Sequence, residues 1–389
     1  MTDHTLTSEE LVQLIHRVFE PRPDERGIAI LVDLPDDNLP DDDAWRTRRQ
    51  LAAGWVGALQ KSEMDHGLLA QLYCYRHVTT NNADLPVTAF AVDADALPRS
   101  AADLPVDRAI PFDAVLADHP MALAPTELSA TAPLKMMAPR LGFRAATMPG
   151  FSPAMIPALR LDYGEVNRRV WWLKEVLDRS VRCDILFQVD ETETMELVLD
   201  LRHRTAHASG GLLPTPGTAG NLPSGEAYIV PYEGEIEGDP TATAGRLPIQ
   251  FGDEVVVFRI EDNKAVEVLS AGPASEDARA ALVAEPASGN VAELGLGVLS
   301  DFGIEPIGEV LLDEKLGLHI AFGRSEHFGG QVGPQQFSRP EAVIHQDHVY
   351  LPELQPRVVP TLVTLSFDDG SEYVLMRDGR YVVDFDKHP

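Results

Sequence analysis

Hydrophobic residues follow two different periods in the first part of the chain. After Ser8, which we predict to cap a helix, apolar residues recur at helical spacing over 11–19, and the segment 44–61 repeats this pattern. Short apolar runs of the kind that buried strands show occur between and after these helices, at 27–32, 69–75, 87–92 and 112–117. Helices that alternate with such strands predict an open α/β sheet whose strands are mainly parallel.

The pattern changes after a proline-rich stretch. Residues 148–157 carry three prolines among small residues, which is typical of a linker. A helix is predicted over 164–179, followed by two strands and by many short strands rich in glycine and proline. The last of these form a hairpin around the turn Asp378-Gly379. We therefore predict an N-terminal α/β domain over 1–157 and a strand-rich α+β domain over 158–389.

Composition excludes several classes of partner. The chain has 389 residues, 61 of them acidic and 32 basic, and its formal charge of −29 repels nucleic-acid backbones and anionic membrane surfaces. No apolar run approaches the roughly 18 residues that cross a bilayer, and the first residues do not resemble a secretion signal. We therefore expect a cytoplasmic protein. Cys74 and Cys183 lie in apolar runs and are expected to be buried free thiols.

Histidines are concentrated near the end of the chain. His319, His327, His345 and His348 fall within 30 residues. His345 and Asp347 are two positions apart, so in a strand they face the same side and can present an imidazole and a carboxylate to one ion. Such ligands suit zinc, manganese, cobalt or ferrous iron. On spacing alone, the pair is more typical of an intramolecular ion pair than of a metal site, and His319 is more typical of a buried core histidine.

Two carboxylates beside glycines, Glu226 and Glu293, extend this candidate site. Four segments resemble, in order, the motif series of the thermophilic aminopeptidase family, the aminopeptidase T type of metallopeptidase: NLPSGEAYIVP at 221–231, AELGLG at 292–297, DEKLGLHIAFG at 313–323 and HQD at 345–347. The resemblance covers roughly residues 158–347. The N-terminal domain resembles the family only in its general pattern.

This resemblance implies a metal-dependent hydrolase of the aminopeptidase type, assembled as a homodimer. Carried over by motif, the metal ligands are Glu226, Glu293, His319, His345 and Asp347, with Glu293 as a bridging ligand. Five ligands of this kind suit two zinc, cobalt or manganese ions, which activate a water molecule and polarise a peptide carbonyl. The implied substrate is a short peptide or another small molecule, from which the N-terminal residue is released.

The chain departs from the family at one position. The family has a tyrosine seven residues after the histidine of the HIAFG segment, and here that position is Glu326, followed by His327. A glutamate can accept a substrate's amino group but cannot stabilise an oxyanion as a phenol does. We assign Glu326 as a candidate catalytic residue that binds the amine, and His327 as a candidate ligand or acid–base.

Two other functions are compatible with the same motifs. The family has a branch that resembles 2,5-dihydroxypyridine dioxygenases, in which His319, His345 and Asp347 would hold one ferrous ion. A third possibility is a binding or biosynthetic protein that has kept the fold without the activity. His203 and His207, on either side of Arg204, are expected to be exposed or to support a loop rather than to contact a substrate.

Overall fold

Two compact units are present in the computed structural model, which describes residues 4–387. The first unit contains residues 4–166 and Gly211–Ser224, and the second contains Asn167–Gly210 and residues 225–387. The segment Gly211–Ser224, beyond the predicted boundary at residue 157, thus belongs to the first unit. Within residues 4–387, no helix has the length and apolar character needed to cross a membrane.

The described residues form nine α-helices: α1 Ser8–Phe19, α2 Asp43–Lys61, α3 Glu63–His66, α4 Phe112–Asp118, α5 Thr131–Leu141, α6 Ile156–Leu159, α7 Tyr163–Arg179, α8 Pro273–Ala284 and α9 Val310–Asp313. The predicted helices over 44–61 and 164–179 are confirmed as α2 and α7. The cap of α1 is Thr7 rather than Ser8. The Thr7 side chain accepts a hydrogen bond from the amide of Glu10, whose carboxylate accepts from the amide of Thr7.

One predicted strand, at 112–117, is wrong. This segment forms α4, whose buried residues Phe112, Val115 and Leu116 follow the i, i+3, i+4 spacing of a helix. The exposed Asp113 interrupts the apolar run, so the buried residues form a stripe on one helix face rather than a strand buried on both faces.

The strands up to residue 147 are β1 Gly27–Leu34, β2 Leu69–Arg76, β3 Thr88–Val92, β4 Ala109–Pro111, β5 Met121–Ala124 and β6 Arg144–Thr147. The strands from residue 180 to residue 268 are β7 Ser180–Val189, β8 Glu193–Asp200, β9 His207–Ser209, β10 Thr218–Asn221, β11 Glu226–Ile229, β12 Ala244–Phe251, β13 Glu254–Glu261 and β14 Lys264–Val268. The remaining strands are β15 Val291–Gly297, β16 Leu318–Gly323, β17 His345–Val349, β18 Val358–Phe367, β19 Glu372–Arg377 and β20 Arg380–Tyr381.

The first unit contains a seven-stranded sheet in the order β10-β6-β5-β1-β2-β3-β4. The pairs from β10 to β2 are parallel, whereas β3 and β4 pair antiparallel at one edge. The core of this unit includes Leu31, Tyr75, Leu134 and Phe143. In this core, helices pack against the sheet. The predicted open α/β sheet is confirmed.

The second unit is rich in antiparallel strands, as predicted. An eight-stranded sheet has the order β14-β13-β12-β8-β7-β18-β19-β20, and a five-stranded sheet has the order β17-β16-β15-β11-β9. The predicted hairpin is confirmed, because Asp378 and Gly379 both adopt positive φ angles, of 47° and 71°, between the paired residues Arg377 and Arg380. Cys74 and Cys183 are buried and free, as expected.

Candidate metal centre

The five-stranded sheet presents all five predicted ligands on one face. Glu226 begins β11, Glu293 lies in β15, His319 lies in β16, and His345 and Asp347 lie in β17. These four strands are consecutive neighbours in the sheet. Side chains alternate between faces along a strand, and directly paired residues share a face, so the antiparallel register brings the five side chains together.

Small residues between the ligands make room for them. Gly295 is paired with His319, and Ala321 lies between Glu293 and Asp347 in the register. A Cβ atom added to Gly295 would lie 1.9 Å from Nε2 of His319, so no other residue fits without moving the imidazole. The first glycine of the AELGLG segment is therefore required by the close approach of this histidine.

The ligand atoms form two groups that share one carboxylate. Glu226, Glu293 and His319 offer atoms within 4.8 Å of one another, and so do Glu293, His345 and Asp347. Oε1 of Glu293 lies 3.3 Å from Nε2 of His319, and Oε2 of Glu293 lies 3.2 Å from Nε2 of His345. Within the described part of the chain, His319, His345 and Asp347 do not form a single group at the 4.8 Å limit.

Both histidines are oriented through Nδ1. In His319 this atom lies 3.2 Å from the carbonyl oxygen of Gly317, and in His345 it lies 2.8 Å from that of Arg324. A carbonyl oxygen only accepts hydrogen bonds, so Nδ1 carries the proton in each ring. Nε2 consequently faces the carboxylates, where it either shares a proton with them or offers a lone pair to a metal ion.

The buried charges stabilise one another. Burial lowers the pKa of His319, but the hydrogen bond to Glu293 and the charge of Glu226 outweigh this effect and raise it to about 9. Burial raises the pKa of Glu293, yet the hydrogen bonds from His319 and His345 lower it to about 2. The pKa of Asp347 is likewise held below its usual range, against burial, by His345. Glu293 and Asp347 are therefore ionised at neutral pH, whereas burial raises the pKa of Glu226 above its usual value.

The donor set fits a divalent metal ion. Oε2 of Glu226 is buried without a hydrogen-bond partner and lies 3.5 Å from Nε2 of His319. An unsatisfied buried carboxylate oxygen costs free energy, which a cation bound in this group would offset. Three carboxylates and two imidazoles form a ligand set that zinc, manganese, cobalt and ferrous iron accept.

Sequence reasoning missed a buried ion pair at the edge of this centre. Lys315 is 1% exposed, and its Nζ lies 2.5 Å from Oε1 of Glu226 and also donates to Glu314. Burial raises the pKa of Glu314 to about 8 in spite of the charge of Lys315. Both residues stand in the DEKLG segment, where consecutive charges resemble an exposed turn, so the sequence carries no signal of their burial.

Tyr228 was also missed. It lies two positions after Glu226 in β11 and is paired with Gly295 on one side and with His207 on the other, so it shares the face of the ligands. Its ring stacks on the His207 ring at a centroid distance of 5.1 Å. Burial, together with the charges of Glu293 and Glu226, raises its pKa, so the phenol keeps its proton. The two-residue spacing from Glu226 is the signal that would have identified it.

The two predicted catalytic residues lie in a short turn after β16. Both carboxylate oxygens of Glu326 accept hydrogen bonds from Arg324, each at 2.6 Å. The carboxylate thus already has a cationic partner. Its assigned role, the binding of a substrate amine, remains a prediction. The ring of His327 lies 5.3 Å from that of His345 and 3.8 Å from that of Phe328. Burial lowers the pKa of His327 to about 4, which leaves it neutral at neutral pH.

Comparisons with known proteins identify the fold. No family model matches the sequence, and no curated protein matches it. A 2,5-dihydroxypyridine dioxygenase from Pseudomonas putida KT2440 matches with a TM-score of 0.60 at 15% identity, over 97% of this chain and 99% of that chain. AmpT from Thermus thermophilus matches with a TM-score of 0.54 at 17% identity, over 97% and 99%. The chain has the fold of these two proteins. At such identities the likeness concerns the fold alone.

The two histidines that precede β11 have different surroundings. Nε2 of His203 lies 2.9 Å from Oδ2 of Asp239, and its side chain is 43% exposed. His207, in contrast, stacks on Tyr228 and pairs through Nε2 with the carbonyl oxygen of Phe328, at 2.9 Å. His207 therefore supports the loop at Phe328 and an aromatic residue on the ligand face, and its place outside the ligand set stays a prediction.

Proposed function

We propose that this protein is a metal-dependent hydrolase that releases N-terminal residues from short peptides, with two divalent ions held on either side of Glu293. The observation that carries the proposal is the position of that carboxylate, whose two oxygens approach two different histidines. A carboxylate shared in this way is the arrangement expected of a ligand that bridges two ions. A single ion held by His319, His345 and Asp347 gives no such role to Glu293.

In the proposed centre, Glu226, Glu293 and His319 would hold one ion, and Glu293, His345 and Asp347 would hold the other. When bound, the two ions supply Lewis acidity toward a carbonyl oxygen and lower the pKa of a water molecule. The hydrogen bonds from Nδ1 to backbone carbonyls keep both imidazoles in the orientation that ligation needs.

Two further side chains complete the proposed site. Glu314, held by Lys315 beside Glu226, is our candidate for accepting the proton of the attacking water when it is ionised, which its pKa of about 8 favours in alkaline solution. Tyr228 is protonated and lies on the ligand face, and it is our candidate for the hydrogen-bond donor that the family tyrosine, replaced here by Glu326, would supply.

Reconstitution of the metal-free protein tests this function. Protein purified without oxygen and stripped of metal is loaded with Zn²⁺, Co²⁺ or Mn²⁺, and the release of amino acids from aminoacyl anilides and short peptides is measured. We expect about two ions per chain and hydrolysis that depends on them. Glu293→Gln keeps the shape of the bridging residue and should abolish hydrolysis, whereas His203→Ala should retain it. Absence of hydrolysis with all three metals would contradict the proposal.

An iron-dependent ring-cleaving dioxygenase is a second candidate, favoured by one specific observation. Two aromatic rings lie near His345. The ring centroid of Phe328 is 5.5 Å from that of His345, and the ring centroid of Tyr228 is 4.8 Å from that of Phe328. A wall of this kind suits a planar aromatic substrate. Oxygen uptake with 2,5-dihydroxypyridine at one Fe²⁺ per chain, without peptide cleavage by any metal form, would replace the hydrolase with this alternative.

A further inference from the structure

Lys315 places a positive charge against one half of the candidate centre. Its Nζ lies 2.5 Å from Oε1 of Glu226 and also donates to Glu314, and its side chain is 1% exposed. A buried ammonium is retained only when carboxylates surround it. One carboxylate of the group Glu226–Glu293–His319 is thus already partly neutralised by a cation that the chain itself supplies.

Each group contains one histidine beside its carboxylates, and Lys315 is an additional cation in the group with Glu226. Nε2 of His345 lies 3.2 Å from Oε2 of Glu293 and 3.6 Å from Oδ1 of Asp347. A histidine that binds a metal ion does so as neutral imidazole. This holds for His319 and for His345 alike, so neither histidine distinguishes the two groups by its charge. In the group with Glu226, the charge of Lys315 persists after the ion has bound.

We propose that the centre binds its two ions in order, the Glu293–His345–Asp347 group first and tightly, the Glu226–Glu293–His319 group second and weakly, with Lys315 setting the difference. The inference rests on the two-ion centre of the proposed function. A positive charge next to the second ion opposes its binding, and little water is present to screen the repulsion at a buried site. We expect the two dissociation constants to differ by at least tenfold, or about 1.4 kcal/mol.

Calorimetric titration of the metal-free, full-length protein with Co²⁺ tests the order. The wild type should show two events of one ion per chain each, with dissociation constants at least tenfold apart. Glu226→Gln, whose amide oxygen can still accept from Lys315, should lose the weak event and keep the tight one. Asp347→Asn should lose the tight event. A single event, two events of equal affinity, or loss of the tight event in Glu226→Gln would overturn the inference.

Substitution of Lys315 itself tests the cause. Lys315→Met removes the charge at similar length and should strengthen the weak event tenfold or more, whereas Lys315→Arg should keep the wild-type difference. An unchanged difference in Lys315→Met overturns the role of the ammonium. If the methionine variant does not fold, because two buried carboxylates have lost their partner, the variants of Glu226 and Asp347 still decide the order. Calorimetry needs no substrate, so it tests the order of metal binding independently of catalysis. If the protein bound the two ions in this order but hydrolysed no peptide, the inference would stand and the proposed peptidase function would fall.

Discussion

Gly295→Ala changes the site by one methyl group, and the structure fixes where that group goes. Its carbon would lie 1.9 Å from Nε2 and 2.1 Å from Cε1 of His319. Non-bonded atoms of this kind rest about 3.5 Å apart, so the ring has to move by roughly 1.5 Å. Bonds from histidine to zinc are about 2.0–2.1 Å long and tolerate about 0.2 Å, so His319 ceases to be a ligand. We expect the ion beside Glu226 to bind at least tenfold more weakly.

The assay is Co²⁺ calorimetry of Gly295→Ala, with circular dichroism to verify the fold. Overpacking should also lower the free energy of unfolding by about 1–3 kcal/mol. The matched control is Gly54→Ala, in helix α2, where an added Cβ has nothing within 4 Å. This control should leave metal binding unchanged and raise stability by about 0.5–1 kcal/mol. Equal metal affinity in the two variants would refute the reasoning.

Three further predictions concern single residues. Asp347→Ala should weaken metal binding at least tenfold in equilibrium dialysis, whereas His203→Ala should bind metal like the wild type; equal losses would contradict the ligand assignment. Tyr228→Phe should lower kcat by about ten- to a hundredfold with unchanged metal content and KM, and an unchanged kcat would exclude the phenol from the reaction. Burial raises the pKa of Glu25, but hydrogen bonds from Arg22 and from Arg144 lower it to about 2. Ionised Glu25 therefore stabilises the fold fully above its ordinary pKa of 4.5, and this stabilisation is lost as the pH falls through the lowered pKa of about 2. In denaturant titrations, the wild type should lose roughly 1–3 kcal/mol more than Glu25→Gln between pH 6 and pH 2, and parallel losses would contradict this.

Much of the candidate site was accessible from the sequence because its ligands stand in short motifs on strands. The two-residue spacing of His345 and Asp347 predicts a shared face in any extended segment, and β17 has that form. The meeting of Glu226, Glu293 and His319 depends on register between strands far apart in the chain. The proximity of these three residues was predicted only through the resemblance to a family, because no local pattern encodes which strands pair.

Each error and omission has a physical cause. The segment 112–117 looked like a strand because its apolar residues are close together, although their three- and four-residue spacing is helical. The burial of Lys315 and Glu314 has no signal in the neighbouring sequence, because it depends on distant contacts such as that of Lys315 with Glu226, 89 residues away. Arg324, two positions before Glu326, was not considered as its partner, although an arginine so close can engage both carboxylate oxygens.

Anomalous diffraction from crystals grown with zinc tests the central claim, the sharing of Glu293 between two ions, most directly. We expect two peaks, one beside Glu226 and His319 and one beside His345 and Asp347, each within about 2.0–2.2 Å of a different oxygen of Glu293. A single peak bound by His319, His345 and Asp347 together would contradict the shared carboxylate and favour a centre with one metal ion.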